Sequence, residues 1–329
     1  MEPQQHESVV SSSTNGEPAR LTLTARGLEV SYDATVALTI PELTCEGSVI
    51  GIVGHNGAGK STFIKSVLGL LPLSAGTLAS RLSMEKSLQT LVPESDMAFC
   101  PETGAVFADI SVESYVKLWC RIKHGDPKYY RKRGSEIVEL LNLAPLLSKL
   151  GRELSKGQRR RVQTTIGFLT EPKLFLFDEP FDGLDVQRTS ELADIIMARR
   201  HRTAFVISSH RMEVMERMAD QLLVLKQGSV ASAGPIEKVC RDLAGATYVI
   251  SKLKDLERAR SAIQAKMPRA LVTKIGSQLF LTDRTISPSL LKECLAVTEQ
   301  PEAVLETAPP RLVDAVNYHL AEMQRESLH

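Results

Sequence analysis

Residues Gly54-His55-Asn56-Gly57-Ala58-Gly59-Lys60-Ser61-Thr62 constrain this chain more than any other stretch. They carry the spacing G-x-x-x-x-G-K-S between two runs of different period. Upstream, Ser48-Val49-Ile50-Gly51-Ile52-Val53 reads as a short buried strand, and downstream Thr62 to Leu68 has helical spacing. A strand, a glycine-rich turn and a helix in that order form a phosphate cradle. Gly54, Gly57 and Gly59 admit backbone conformations that a Cβ hinders, so several N–H groups can converge on one anion. The helix starting near Lys60 adds the positive end of its dipole. In such a cradle Lys60 reaches the β- and γ-phosphates and Ser61 sets its hydroxyl on Mg²⁺. The stretch implies a nucleotide-phosphate binder with an α/β core.

A chain of 329 residues has room for one large domain and a small one, and a net charge of +1 gives no support to a nucleic-acid-coating role. No apolar run approaches the roughly 18 residues needed to span a bilayer. The stretch Met1 to Ser8 lacks the basic and apolar regions of a signal peptide. Cysteines 45, 100, 120, 240 and 294 are scattered without C-x-x-C spacing, as buried thiols of a reducing cytosol would be. Work at a membrane is therefore expected from the cytoplasmic side, through a partner.

Residues 1–19 are rich in Gln, Glu, Ser and Thr and read as a disordered tail. Leu21 to Tyr32 alternates as a strand and Val36 to Ile40 follows as a second, forming an antiparallel patch beside the core. Tyr32 is placed either to stack on a base or as a strand-end tyrosine with a wet hydroxyl. Thr77 to Ala79 and Thr90 to Val92 are short strands, with Ser83 to Gln89 open between loop and helical turn. Met97 to Glu102 reads as a buried strand ending in a polar loop. From Ser111 the period turns helical, so residues 103–154 form a helical insertion. Its basic run Lys128 to Arg133 is a solvated loop or helix start, or else an anionic-lipid contact.

Ser155 and Gln158 make a capping box ahead of three arginines, residues 159–161, which by themselves could be only a wet face. Lys173 to Phe177 is a continuous apolar run, as expected of a central parallel strand, and it ends in Asp178 and Glu179. Ligands bind at that edge of an open α/β sheet. Asp178 is suited to hold Mg²⁺ through water, and Glu179 to polarise an attacking water. Asp182 to Asp185 is a turn, and Ser190 to Arg200 a helix. Thr203 to Ile207 is a further buried strand, which leads into His210, a cap or surface residue on local grounds. Leu222 to Leu225 and Val230 to Ala233 bracket Gly228 as a hairpin, and the core ends near 240. Beyond it, residues 241–329 alternate strands and helices as a small α+β domain that has no glycine-rich loop, acid pair or metal spacing, and pattern alone assigns it no function.

Taken in order, these motifs resemble the nucleotide-binding subunit of an ATP-binding cassette (ABC) transporter over about residues 21 to 240. GHNGAGKST resembles the Walker A loop, LSKGQ the signature, FLFDEP Walker B with its catalytic glutamate, and GLD at 183–185 the D-loop. His210 is similar to the switch histidine and Tyr32 to the adenine-stacking aromatic. The implied fold is a P-loop NTPase core with a mostly parallel sheet, the antiparallel patch and the helical insertion, plus the α+β C-terminal domain. The implied catalytic set is Glu179, His210 and Lys60. ATP would contact Tyr32, Gly54, Asn56, Gly57, Ala58, Gly59, Lys60, Ser61 and Thr62, and Mg²⁺ would contact Ser61, Glu102 and Asp178.

The resemblance further implies a head-to-tail dimer, of two copies or of related chains. In it Ser155, Gly157, Gln158 and Asp185 of one subunit close over the cradle of the other. Lys156 stands where the commonest signature has Gly, and Glu102 where the usual Q-loop has Gln. Both variants, and the tail after 240, resemble the export-type branch with separate permeases. That branch implies a peripheral location on the inner membrane face, with a permease helix docked near Val106, Phe107, Tyr115 and Trp119. The alternatives are an ABC-type ATPase acting on ribosomes or DNA, a regulatory module that holds ATP without turnover, and an importer ATPase, which differs only in partner. Against the first, the chain shows neither a second cassette nor a long coiled-coil insertion.

Overall fold

The computed structural model describes residues 17–84, 87–103, 106–284, 286, 288–297 and 302–326. The expected tail falls mostly on residues 1–16, outside the described residues. Its last residue does not fit that expectation: Ala19 is buried and donates its N–H to the Arg200 carbonyl.

The first half of the chain builds two sheets around the cradle. Strands β1 (Arg20–Tyr32) and β2 (Thr35–Gly47) pair antiparallel and precede β3 (Val49–Val53) and helix α1 (Lys60–Val67). β2 runs well past the expected Ile40. Pro41, which has no N–H, sits opposite Gly27, and the register holds on both sides of it, at Leu28–Ile40 and Arg26–Glu42. Strands β4 (Ala75–Met84) and β5 (Ser87–Thr90) complete this sheet in the order β2-β1-β4-β5. Ser83 and Met84, left open by the sequence, thus lie in a strand.

A short helix α2 (Pro93–Asp96) leads into β6 (Met97–Cys100). The helical insertion then holds α3 (Val112–His124), α4 (Tyr129–Lys132) and α5 (Ser135–Leu140). In α4 the basic run is a wet helical turn: Arg131 pairs with Glu113 and Lys132 with Asp126, while Tyr129 and Tyr130 are buried.

Helix α6 (Lys156–Leu169) and strand β7 (Leu174–Asp178) return the chain to the core. There follow α7 (Val186–Arg199), β8 (Ala204–Ser208), α8 (Met212–Met218), and the hairpin of β9 (Gln221–Lys226) and β10 (Ser229–Gly234). α7 starts four residues before the expected Ser190 because the Asp185 carboxylate caps it, accepting from Arg188 N at 2.8 Å. The core sheet runs β10-β9-β3-β8-β7-β6, parallel throughout except for the β9–β10 hairpin. Strands β3, β7 and β8 are buried along their whole length, which is why they read as unbroken apolar runs. α6 lies on this sheet through Phe168, whose ring centroid is 5.0 Å from that of Phe175.

After α9 (Ile236–Ala244) come β11 (Ala246–Ser251), α10 (Leu256–Lys266), β12 (Leu271–Ile275) and β13 (Gln278–Asp283). α11 (Pro288–Val297), β14 (Val304–Ala308) and α12 (Leu312–Glu326) close the chain. The strands form a separate antiparallel sheet, β12-β13-β11-β14, with its own core. The expected boundary at 240 cuts through α9, however, and α12 turns back to pack on α8 and α9. Leu312, Ala315, Val316 and Tyr318 thereby join the main core, and Leu312 N donates to the Glu216 carboxylate at 3.2 Å.

All five cysteines are buried free thiols. Burial pushes Cys45 and Cys240 up to about 12 and Cys100 to about 11. Among the described residues no helix is long and apolar enough to cross a membrane.

Candidate active site

The loop from β3 to α1 turns where two glycines allow it. Gly57 has φ 80° with open space around it, so its need is conformational alone. Gly54 has φ 157°, and a Cβ there would lie 2.5 Å from the Leu225 carbonyl oxygen. The loop is fastened to the hairpin by Gly228 N donating to the Ala58 carbonyl at 3.0 Å. Gly54, Asn56, Gly57, Gly59, Lys60, Ser61 and Thr62 all line a cleft of about 900 Å³. Ala58 is the exception among the expected contacts. Its side chain is fully buried and its N–H closes a turn onto His55 O at 3.1 Å, so it supports the loop from behind.

Lys60 is buried within its own loop, and its ammonium donates to Gly54 O at 2.9 Å and His55 O at 3.3 Å. Across the cleft it faces Glu179 Oε1 at 3.4 Å. Tyr32, 44% exposed, lines the same cleft, and its hydroxyl approaches Thr62 Oγ1 at 3.4 Å. The side chain thus stands partly exposed at the cradle, with its hydroxyl near Thr62.

The acid pair closes the other side. Asp178, at the end of β7, is buried and accepts from Ser208 Oγ at 2.6 Å. Glu179 leaves the strand with φ 50°, a left-handed conformation that costs a non-glycine residue about 1–2 kcal/mol. Its N–H is held by Ser208 Oγ at 2.9 Å and Ser208 O at 3.2 Å. The turn aims the carboxylate into the cleft. Oε2 takes both the backbone N–H of His210, at 3.2 Å, and its ring Nδ1, at 2.9 Å. Oε1 is buried and accepts no hydrogen bond among the described residues. One carboxylate oxygen is therefore fixed and the other keeps its acceptor capacity. His210 is neither a cap nor an idle surface residue.

Glu102 also lines the cleft, with its side chain exposed. Among the described residues no three acids, histidines or cysteines form a metal cluster. A magnesium ion carried by a nucleotide needs only one or two protein oxygens besides phosphate and water. Ser61, Asp178 and Glu102 supply hard oxygens of that kind around one cleft, so the donor set fits the ion.

The remaining expected residues lie elsewhere. Ser155, Gly157, Gln158 and Asp185 line a second cavity, of about 350 Å³, between α6, α7 and the end of α5. Both halves of the capping box are made, Gln158 N to Ser155 Oγ at 3.2 Å and Ser155 N to Gln158 Oε1 at 3.1 Å.

Sequence reasoning missed the contacts that join the two cavities. Arg160 is no wet-face residue: it is 4% exposed, and its guanidinium donates to the carbonyls of Glu179, Asp182 and Glu102. Lys156, four residues earlier on the same helix face, donates to the Asp182 carboxylate at 2.9 Å. That contact, with some opposition from burial, holds the Asp182 carboxyl below the usual carboxylate range.

Such a cleft, at the carboxyl edge of a parallel sheet, belongs to the P-loop nucleotide hydrolases. Residues 39–182 match the family model described as ABC transporter, and over that stretch the chain carries an ATP-binding cassette, an ATPase domain. It is 32% identical over 197 residues to the molybdenum import ATP-binding protein ModC of Vibrio cholerae, covering 58% of this chain and 52% of that protein. It is 24% identical over 280 residues to a retinal-specific phospholipid-transporting ATPase of Mus musculus, covering 84% of this chain and 11% of the other. The chain thus spans about half the length of the first relative and about a tenth of the second. Among solved structures, an ATP-binding subunit of an ABC transporter superposes with a TM-score of 0.57 at 27% identity, covering 67% of this chain and 92% of that one.

Proposed function

We propose that this chain is the ATP-hydrolysing subunit of an ABC transporter and that it drives export through a separate membrane permease. The observation that carries the hydrolytic part is the Glu179 carboxylate, anchored by His210 through one oxygen and facing Lys60 at 3.4 Å through the other, which accepts no hydrogen bond among the described residues. An acceptor so placed takes a proton from a water attacking the γ-phosphate, while His210 holds the carboxylate and Lys60 meets phosphate charge. Tyr32 stacks on the base. Ser61, Glu102 and Asp178 would hold Mg²⁺, which supplies charge neutralisation on the phosphate oxygens when bound.

Ser155, Gly157, Gln158 and Asp185 line a different cavity from the cradle's, and in a head-to-tail dimer they close over the ATP of a second subunit. The free N–H groups of α6 then meet the γ-phosphate. Phe107, 57% exposed and edge-on to Tyr115 at 5.1 Å, offers a permease helix an apolar contact on the insertion. Of the other expected docking residues, Val106 and Trp119 are half-buried and Tyr115 is buried. The export reading rests on Lys156, Glu102 and the tail after 240, which resemble the export-type branch; the alignment with the phospholipid-transporting relative, at 280 residues, extends past residue 240 into that tail. The similarity to molybdenum import proteins makes import the second reading.

Glu179→Gln keeps the shape and removes the proton acceptor. It is expected to bind ATP while phosphate release falls by roughly 100-fold or more, with an ATP-stabilised dimer accumulating on gel filtration. Near-normal release by the variant would place the base elsewhere.

A further inference from the structure

The geometry points to Arg160 as a positioning residue that ties the signature helix α6 to the two loops flanking the site of hydrolysis, the Glu179 turn and the Glu102 loop. The proposal rests on the hydrolytic reading above. Three features of the molecule carry it.

The first is the guanidinium itself. It is buried and bonded to three backbone carbonyls, from three different points on the loops after β6 and β7. A buried cation of this kind needs nearly all its donors satisfied, so its partners are held as firmly as it is. The planar fork of arginine can reach three acceptors at once, which a lysine ammonium at the same position cannot do in one plane.

The second is what Arg160 holds. Glu179 sits at φ 50° and has every reason to relax toward an ordinary conformation. Ser208 fixes its N–H side, and the Arg160 guanidinium and Asp182 N–H fix its carbonyl side, the latter at 3.2 Å. The carboxylate direction follows from that pinned peptide. Its two contacts with His210 and its approach to Lys60 depend on the turn staying left-handed.

The third is where Arg160 stands. It lies one helical turn below Lys156, which holds Asp182, and close to Ser155, which caps α6 at the second cavity. The helix that presents Ser155 and Gly157 to one cavity is thus bolted to the acid that faces the other. In the proposed dimer, movement of α6 on engaging one ATP is passed by Arg160 to the Glu179 of the same chain, which serves the other ATP.

The test compares Arg160→Lys and Arg160→Met with the wild-type full-length chain. Turnover and KM are read for Mg-ATP, affinity is read with a fluorescent ATP analogue, and amide exchange is followed over residues 178–184 and 100–103. Misplacement of the acid by about an ångström predicts a fall in kcat of roughly 10- to 100-fold in Arg160→Met, with analogue affinity changed by less than about threefold. Arg160→Lys, which keeps the charge and part of the bonding, is expected in between. Exchange should accelerate over both loops and stay unchanged in the cradle, residues 54–60. A loss of affinity and turnover in equal measure, or kcat within about twofold of wild type, overturns the proposal. If the wild-type chain releases no phosphate, the hydrolytic reading falls separately. Exchange over 178–184 then decides for Arg160, and unchanged exchange in both variants overturns its role.

Discussion

Lys156 occupies a signature position that is glycine in the commonest form of the motif, and its ammonium is held by Asp182 at 2.9 Å. The contact is largely exposed on the lysine side, so its worth to stability is at most about 1 kcal/mol. Its larger consequence is electrostatic. Asp182 carries a lowered pKa because Lys156 bonds its charged form, with Lys156, Arg160 and His210 adding favourable charge. A depressed folded-state value means that the carboxylate contributes stability above its unfolded value of about 3.9, lost only as pH falls through the lower folded value. Lys156→Met removes the first cause. The Asp182 carboxyl, followed by carbon NMR, is then expected to titrate closer to 3.9 or so, while high salt should shift the wild-type value in the same direction. An unmoved titration would assign the shift to Arg160 and His210. The glycines, Lys60, the acid pair and His210 were legible because each lies in a local pattern whose chemistry is fixed by type and spacing. Arg160 was not, since a run of three arginines reads the same whether solvated or buried, and only the return of the Glu102 and Glu179 loops over α6 decides it.

At the scale of elements, α6 shows how little room the core leaves. Gly167 lies on its buried face, and a Cβ there would sit 2.1 Å from Phe175 Cζ. That ring is itself stacked on Phe177 at 4.0 Å and edge-on to Phe168, so it cannot swing aside without moving others. Gly167→Ala gains about 1 kcal/mol of helix propensity. Overpacking against a ring held on two sides costs about 1–3 kcal/mol, and lifting α6 also strains the Arg160 bonds. The expected outcome is net destabilisation, seen as a lower denaturation midpoint. A midpoint equal to or above wild type would mean that α6 can ride up on the sheet at no cost. The core strands were readable because burial on both faces leaves nothing but apolar residues until the acids appear at the end of β7. β2 was cut short in the sequence because Pro41 signals a break, and only pairing with β1 carries the strand past it. α7 was cut short at its start because the Asp185 cap looks like part of a turn.

On the scale of the whole molecule, the C-terminal unit is distinct in its sheet and joined in its last helix. Its alternation of strands and helices was legible from period alone, and the described residues show that alternation. The junction was not legible, because nothing local in residues 312–318 distinguishes a helix that covers its own sheet from one that returns to α8 and α9. Yet Leu312 and Ala315 are fully buried in the main core, and α12 begins on the carboxylate of Glu216, one turn or so beyond His210 along the chain. A shared core of this kind predicts shared stability: the cassette should lose stability when α12 is disturbed. Ala315→Asp places an unpaired carboxylate among apolar side chains, at a cost of at least about 2 kcal/mol. Trp119, the single tryptophan, sits in α3 packed against the main core and reports the unfolding of the cassette. In urea its fluorescence midpoint is expected to fall in Ala315→Asp together with the far-ultraviolet circular dichroism, the two probes staying coincident. A variant whose circular dichroism weakens first, while Trp119 unfolds at the wild-type urea concentration, would show that α12 can leave the core without consequence for the ATPase domain.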